Sequence, residues 1–383
     1  MSDKNIDRRR VISIGATAAV GLTVGASSAE AVHQLTDNEG IGVVGKTTIP
    51  FFGKHQAGIE TPIQAKVTFV AFDLTTTNKS AVARLLRLWT SDISLMMAGK
   101  PAMADTNSEI AATPARLTVT FGLGYSLFNK LGIDNQWPLS VTAIPSYKID
   151  QLDPAFCDGD LLLQICADDA LTVSHAVREL VKDAKPFADV KWTQQGFASH
   201  HGINPGETPR NLMGQVDGTD NPKPETEDFN NTVWNKDGST TFVLRRIQMN
   251  LETWDLLSRP NQEKVIGRNR KNGAPLTGVI ETDTPDYELE KNGELVIPMD
   301  AHIRRATGPR NLMRRVFNYD ESPTDQGLLF ATYQADINQY LEIQARLASK
   351  DSLNAWTTPV GSAMFYIPPG TQAGDWLASP IFG

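Results

Sequence analysis

Only two of the 383 residues are cysteine, Cys157 and Cys166, and no Cys-x-x-Cys pair occurs. This excludes a disulfide-stapled scaffold and a finger-type zinc site. Also missing are His-Glu-x-x-His, Gly-x-Ser-x-Gly and a Walker loop, while Gly122-Leu123-Gly124 lacks the third glycine of a dinucleotide fingerprint. Positive charge is short too. With 36 Lys plus Arg against 44 Asp plus Glu the formal net charge is −8, a bulk field that repels phosphates, so neither nucleic acid nor an anionic membrane is an expected partner. Past the N-terminus no run approaches the ~20 apolar residues of a spanning helix, so stable membrane insertion is not expected. What is present is an ordinary globular composition, 40% hydrophobic, in a chain long enough for two cores.

The first 31 residues differ from the rest. Arg8, Arg9 and Arg10 precede the apolar stretch VISIGATAAVGLTVGA, which ends at Ala29-Glu30-Ala31. That pattern reads as an export signal, or alternatively as a basic start to a membrane anchor. The arginine pair, followed by Arg10-Val11-Ile12 and a Gly- and Thr-diluted core, points to the twin-arginine route for folded proteins. The mature chain is then expected to start near Val32, in the periplasm or outside the cell.

Downstream, Lys66 to Leu74 (KVTFVAFDL) reads as a strand. Val82, Leu85, Leu86, Trp89, Ile93, Met96 and Met97 recur at helical spacing. Strands are expected at Leu117–Phe121 and Leu161–Ala167, a helix over Val173–Val181, and a strand at Asp189–Phe197: βαββαβ. The order returns with a strand at Thr241–Met249, a helix around Leu251–Leu257, strands near Met313–Tyr319 and Leu328–Gln334, a helix from Ile337 to Ala348, and a closing strand at Ala363–Ile367. The expected fold is α+β, two ferredoxin-like units with antiparallel sheets. A lead-in of 32–62 precedes units at 63–222 and 223–383. Two segments rich in Gly, Pro, Asn and charge stand out, 200–233 and the fifty or so residues before Met313. Compact domains rarely carry such long connections without a use for them.

On those segments lie two constellations. In Gly214-Gln215-Val216-Asp217-Gly218 the glycines allow close approach of backbone to a flat ligand and leave the Asp217 carboxylate unobstructed, or else mark a tight turn. The stretch Ala301-His302-Ile303-Arg304-Arg305-Ala306, continuing to Arg310, Arg314 and Arg315, reads as a solvated loop or as guanidinium groups awaiting an anionic partner. His302 is surface, core or an axial ligand of haem iron. His200-His201 offers a weak transition-metal pair or a polar loop, and His55 lines a pocket or sits in an ordinary turn.

GQVDG resembles the GxxDG signature of dye-decolourising peroxidases. The family's other pieces follow in order: the HIR segment at His302, then Arg314 five residues before Tyr319. FFGKHQAGIETP, DLLLQICADD, NLMGQVDGTDNP, GRNRKNGAPL and GLLFATYQAD are similar to the exported deferrochelatase/peroxidase branch associated with iron uptake. The resemblance runs from about residue 50 to the C-terminus. It implies one haem b per chain in the C-terminal unit, His302 as proximal ligand, and Asp217 and Arg314 as the distal pair that works on hydrogen peroxide. It further implies Gly218 beside the cofactor, Arg304 as propionate partner and Asp336 as acceptor of the proximal imidazole N–H. Asn318-Tyr319-Asp320 departs from the smaller residues of relatives and leaves the distal pocket's shape open. A free aspartate has a pKa near ~3.9, so a carboxylate base implies an acidic optimum. Organic donors, dyes among them, are the implied reductants, with Trp234, Trp254, Trp356 and Tyr340 either relaying electrons or packing the core. Two other readings are kept: release of iron from haem with the porphyrin intact, with iron-uptake components as implied partners, and haem carriage without turnover. Oligomeric state is left open.

Overall fold

The computed structural model describes residues 44–198 and 207–383. The export motif and His200-His201 lie outside them. Strand β1 (Lys66–Leu74) is followed by helix α1 (Lys79–Met97), strands β2 (Thr118–Leu123) and β3 (Leu161–Ala167), helix α2 (Ala170–Ala184) and strand β4 (Ala188–Phe197). The second set is β5 (Thr240–Met249), short helices α3 (Leu251–Asp255) and α4 (Arg259–Ile266), a single helical turn α5 (His302–Ala306), β6 (Met313–Arg314), β7 (Phe317–Ser322), β8 (Asp325–Gln334), helix α6 (Ile337–Lys350) and β9 (Thr357–Ile367).

Local chemistry sets these limits. Asn78 caps α1 by accepting from the Ser80 and Ala81 amides, and Asp169 caps α2 through the Thr172 amide, each worth about 1 kcal/mol. The expected helix at Leu251–Leu257 is present over Leu251–Asp255, and a second follows it, started at Ser258-Arg259-Pro260 with proline in its first turn. The strand expected from Met313 to Tyr319 also divides. Arg315 is buried, and its guanidinium donates to the Thr61 carbonyl and to Gln64, so the chain jogs there.

Each set makes a four-stranded antiparallel sheet, β2-β3-β1-β4 and β9-β5-β8-β7, with the strand order of a ferredoxin-like unit. The sheets join edge to edge through one residue pair at each seam, Tyr366 with Leu123 and Phe197 with Asn318. Gln56 reinforces the first seam: its side chain donates to the Phe121 and Pro368 carbonyls and accepts from the Phe121 amide. The ring encloses an aromatic core of Phe69, Phe242, Phe317, Tyr333 and Phe365. Helices α1 and α2 cover the outer face of the first sheet around Trp89, Phe72 and Leu180. Helix α6 covers part of the second sheet around Val243 and Tyr340. The segments 207–222 and 267–312 arch over the remainder, and the candidate site lies beneath them. Among the described residues no helix is long and apolar enough to cross a membrane.

Candidate functional site

His302 opens α5 immediately after buried Ala301, whose amide closes a turn on Pro298. Its Nδ1 lies 2.6 Å from Asp351 Oδ2. Asp351 follows α6 and is almost fully buried; its other oxygen accepts from the Leu353 amide. An ionised carboxylate can only accept, so the imidazole proton sits on Nδ1 and the Nε2 lone pair is left for a ligand. Burial opposes protonation of His302, but the Asp351 charge and hydrogen bond outweigh it, and the imidazole pKa is raised.

Asp217 comes from a tight hairpin in which Arg210 bridges Val216. Asn211 organises its tip by accepting from the Met213 and Gln215 amides, and its Nδ2 lies 3.4 Å from Asp217 Oδ2. Gly214 holds a left-handed φ of +78°, and a Cβ there would strike the Arg270 guanidinium. Arg314 Nη1 lies 3.5 Å from Asp217 Oδ1, an ion pair with both partners partly exposed.

These three side chains meet on one cavity. A space of about 430 Å³ is lined by His302, Asp217, Gly218 and Arg314, together with Arg268, Ile266 and Phe330. A smaller one of about 100 Å³ shares His302, Asp217 and Arg314 and adds the apolar Met213, Met249 and Leu328. The size suits a bound small molecule, and the lining is what an amphipathic macrocycle needs: one imidazole with a free lone pair, aliphatic walls and guanidinium groups. The residues therefore fit a haem.

One expectation is corrected. Asp336 does not hold the imidazole: it caps the start of α6 in a capping box and pairs with Arg310 at 2.9 Å. Asp351 follows the last residue of the same helix, about 22 Å away at 1.5 Å per residue, and takes that role. Arg304 is not among the cavity's lining residues. Residues two apart on a helix point about 200° apart. Its guanidinium accordingly donates to the Tyr287 and Ile297 carbonyls and stacks on the Tyr287 ring. The arginine that joins Arg314 on the cavity is Arg268, anchored by Nη1 to the Gly273 and Glu281 carbonyls, with burial drawing its pKa down. Asp351 and Arg268 escaped the sequence reading. Arg268 lies in the quoted GRNRKNGAPL, but nothing in that segment singles it out from its basic neighbours.

The other candidates lie away from the cavity's walls or within the core. His55 is absent from the cavity lining; it stacks on Trp234 at 3.9 Å and hydrogen-bonds Glu60. Trp254 and Tyr340 are fully buried, and Trp356 packs edge-on against Trp254. Both cysteines are free, and burial pushes Cys166 up to about 11. Asp105, His175 and Glu179 cluster at α2, but both His175 nitrogens are engaged, by Asp105 and Arg178, leaving no lone pair for a metal.

Family models of the Dyp-type peroxidase N-terminal and C-terminal regions match residues 56–198 and 208–372. A deferrochelatase of Yersinia pseudotuberculosis is 35% identical, the match covering 98% of this chain and 94% of that protein. One from Escherichia coli is 36% identical over 87% of this chain and 86% of the other. The crystal structure of a DyP-type peroxidase from Cellulomonas bogoriensis superposes with a TM-score of 0.86 at 45% identity, covering 88% of this chain and 99% of that one. That of a DyP-type peroxidase from Streptomyces coelicolor gives 0.85 at 38%, covering 89% and 99%. Fold, cavity and matches together define the class as haem peroxidase. The chain belongs to the Dyp-type peroxidase family.

Proposed function

We propose that the cavity takes one haem b per chain, with His302 Nε2 as the iron's protein ligand, Asp217 and Arg314 as the pair that handles hydrogen peroxide, and Arg268 as a partner for a propionate. The observation that carries this is the meeting of an imidazole, oriented by a buried carboxylate, with a carboxylate–guanidinium pair on one cavity. When bound, the haem supplies the iron at which peroxide is reduced and the oxidising equivalents that an organic donor then fills. The protein's own share is proton and charge management. Asp217 takes a proton from one peroxide oxygen and returns it to the departing one, so that peroxide, two electrons and two protons leave as two waters. Arg314 places fixed positive charge where the O–O bond polarises, at no reorganisation cost. Asp351 keeps the imidazole in the tautomer that leaves Nε2 free and increases its donor strength.

In haem-replete protein, Asp217→Asn and Arg314→Leu should each slow peroxide-dependent dye oxidation by about a hundredfold or more. Wild-type rates in both would defeat the assignment.

A second reading is favoured by the deferrochelatase relatives: release of iron from haem with the porphyrin kept whole. Metal-free protoporphyrin after anaerobic incubation with haem supports it; its absence alongside peroxide turnover removes it. Haem carriage alone leaves the Asp217–Arg314 pair without a task. Export through the twin-arginine route at Arg8 and Arg9, and delivery to periplasm or medium, is part of the same proposal. Replacing both arginines by lysine should hold the protein in the cytoplasm.

A further inference from the structure

Arg314 belongs to a strand of two residues, β6, paired on one edge only, with Thr332 and Tyr333 of β8. Among the described residues its other edge meets no strand. The side chain of Asn221 stands there instead. Oδ1 accepts the Arg314 N–H at 3.0 Å, and Nδ2 donates to the Arg314 carbonyl at 2.7 Å, the reciprocal exchange that a neighbouring antiparallel strand makes with its backbone. The same Oδ1 lies 3.4 Å from Arg314 Nε. One primary amide thus grips the backbone of Arg314 and the root of its guanidinium together.

Asn221 stands four residues beyond Asp217, in the turn closed by its own amide on the Gly218 carbonyl at 3.0 Å. A second tether joins the same two segments, Asn311 Nδ2 donating to the Asp220 carbonyl at 2.9 Å. The carboxylate and the guanidinium come from segments far apart in sequence, and Asn221 links them directly. Its chemistry is specific. Aspartate has no donor for the carbonyl, glutamine is a methylene too long, and serine is too short to span both backbone groups.

We propose that Asn221 is a positioning residue for peroxide cleavage, setting the Arg314 guanidinium against the Asp217 carboxylate. The proposal rests on the reading of Asp217 and Arg314 as the peroxide pair. It says that Asn221 matters to the chemistry only through Arg314, which a double-mutant cycle isolates.

The experiment compares wild-type holoenzyme with Asn221→Ala, Arg314→Leu and the double variant. Two quantities are read: the second-order rate constant with hydrogen peroxide by stopped flow, and the dissociation constant for cyanide from the haem absorption band. Cyanide is a bound anion that draws on the same positive charge without turnover. Asn221→Ala should slow the peroxide reaction by about a hundredfold, the effect of an ångström-scale misplacement, and weaken cyanide binding severalfold. In the Arg314→Leu background both effects should vanish. Equal effects of Asn221→Ala in the two backgrounds, or a fall in melting temperature with neither quantity moved, would overturn the proposal. If Asn221→Ala does not load haem, Asn221→Asp, which keeps shape and Oδ1, serves the same cycle and should show a partial loss that again disappears without Arg314. Arg314→Leu with unchanged rate and affinity would refute the peroxide-pair reading itself, a result distinct from additivity.

Discussion

Asp351→Asn changes one atom in the support of the candidate iron ligand, and its effect can be worked out from the geometry. The wild-type carboxylate accepts twice, from His302 Nδ1 at 2.6 Å and from the Leu353 amide at 2.9 Å. An amide of the same shape has only one oxygen. If that oxygen faces Leu353, the NH2 group confronts His302 and drives the imidazole proton to Nε2, removing the lone pair that binds iron. If it faces His302, two N–H groups collide at Leu353 in a buried site. Loss of such an outer partner costs about 10- to 100-fold in metal affinity, roughly 1.4–2.7 kcal/mol. That agrees with the ~1.5–3 kcal/mol of a hydrogen bond to a charged group. The assay is titration of haem into the variant apoprotein, followed in the haem absorption band. Asp336→Asn is the matched control: asparagine also caps helices well, so haem affinity should stay within about twofold of wild type and the melting point should hardly move. An Asp351→Asn protein with unchanged affinity beside an impaired Asp336→Asn protein would remove Asp351 as the support of His302.

Arg268→Ala removes a cavity cation and should lower haem affinity about tenfold, the size of one lost charged hydrogen bond. Arg304→Ala should leave affinity alone and instead lower the melting temperature, because it frees the Tyr287 and Ile297 carbonyls; the reverse pattern would return the propionate role to Arg304. Between α1 and α2, burial and then the neighbouring Asp92 push Asp183 up to about 7. The folded chain holds a proton there that an unfolded aspartate releases above about pH 4. Its contribution to stability is therefore complete below that pH and is lost as the pH rises to about 7. Denaturant unfolding across this window should show a decline that Asp183→Asn flattens, and an undiminished slope in the variant would contradict the assignment.

The strands were legible because the barrel buries them. KVTFVAFDL and LLLQICA occupy β1 and β3 without a residue's error, their β-branched and aromatic side chains filling both faces. Closure of the two sheets was not legible. It depends on single pairs at the seams and on the Gln56 side chain bridging Phe121 and Pro368, contacts that leave no periodicity. In the site, Asp217, His302 and Arg314 stand out in short motifs whose roles only the family resemblance supplies, and the fold brings them to one cavity. Their supports were not legible. Asp336 and Asp351 flank the same helix, and only the crossing of α5 near its C-terminal end decides which one reaches the imidazole. Likewise Arg304 lies two residues from His302 in sequence, but its guanidinium is taken up by the Tyr287 and Ile297 carbonyls.

If a haem is held through the His302 imidazole on the cavity that Asp217 and Arg314 also line, removing that imidazole must change the haem's spectrum. The most direct test is the absorption spectrum of His302→Ala purified beside wild type and reconstituted with haem, with and without added imidazole. A normal haem band is expected in wild type, a weak or displaced band in the variant, and partial recovery when imidazole enters the vacated place. A variant band identical to wild type in position and stoichiometry would contradict binding through His302.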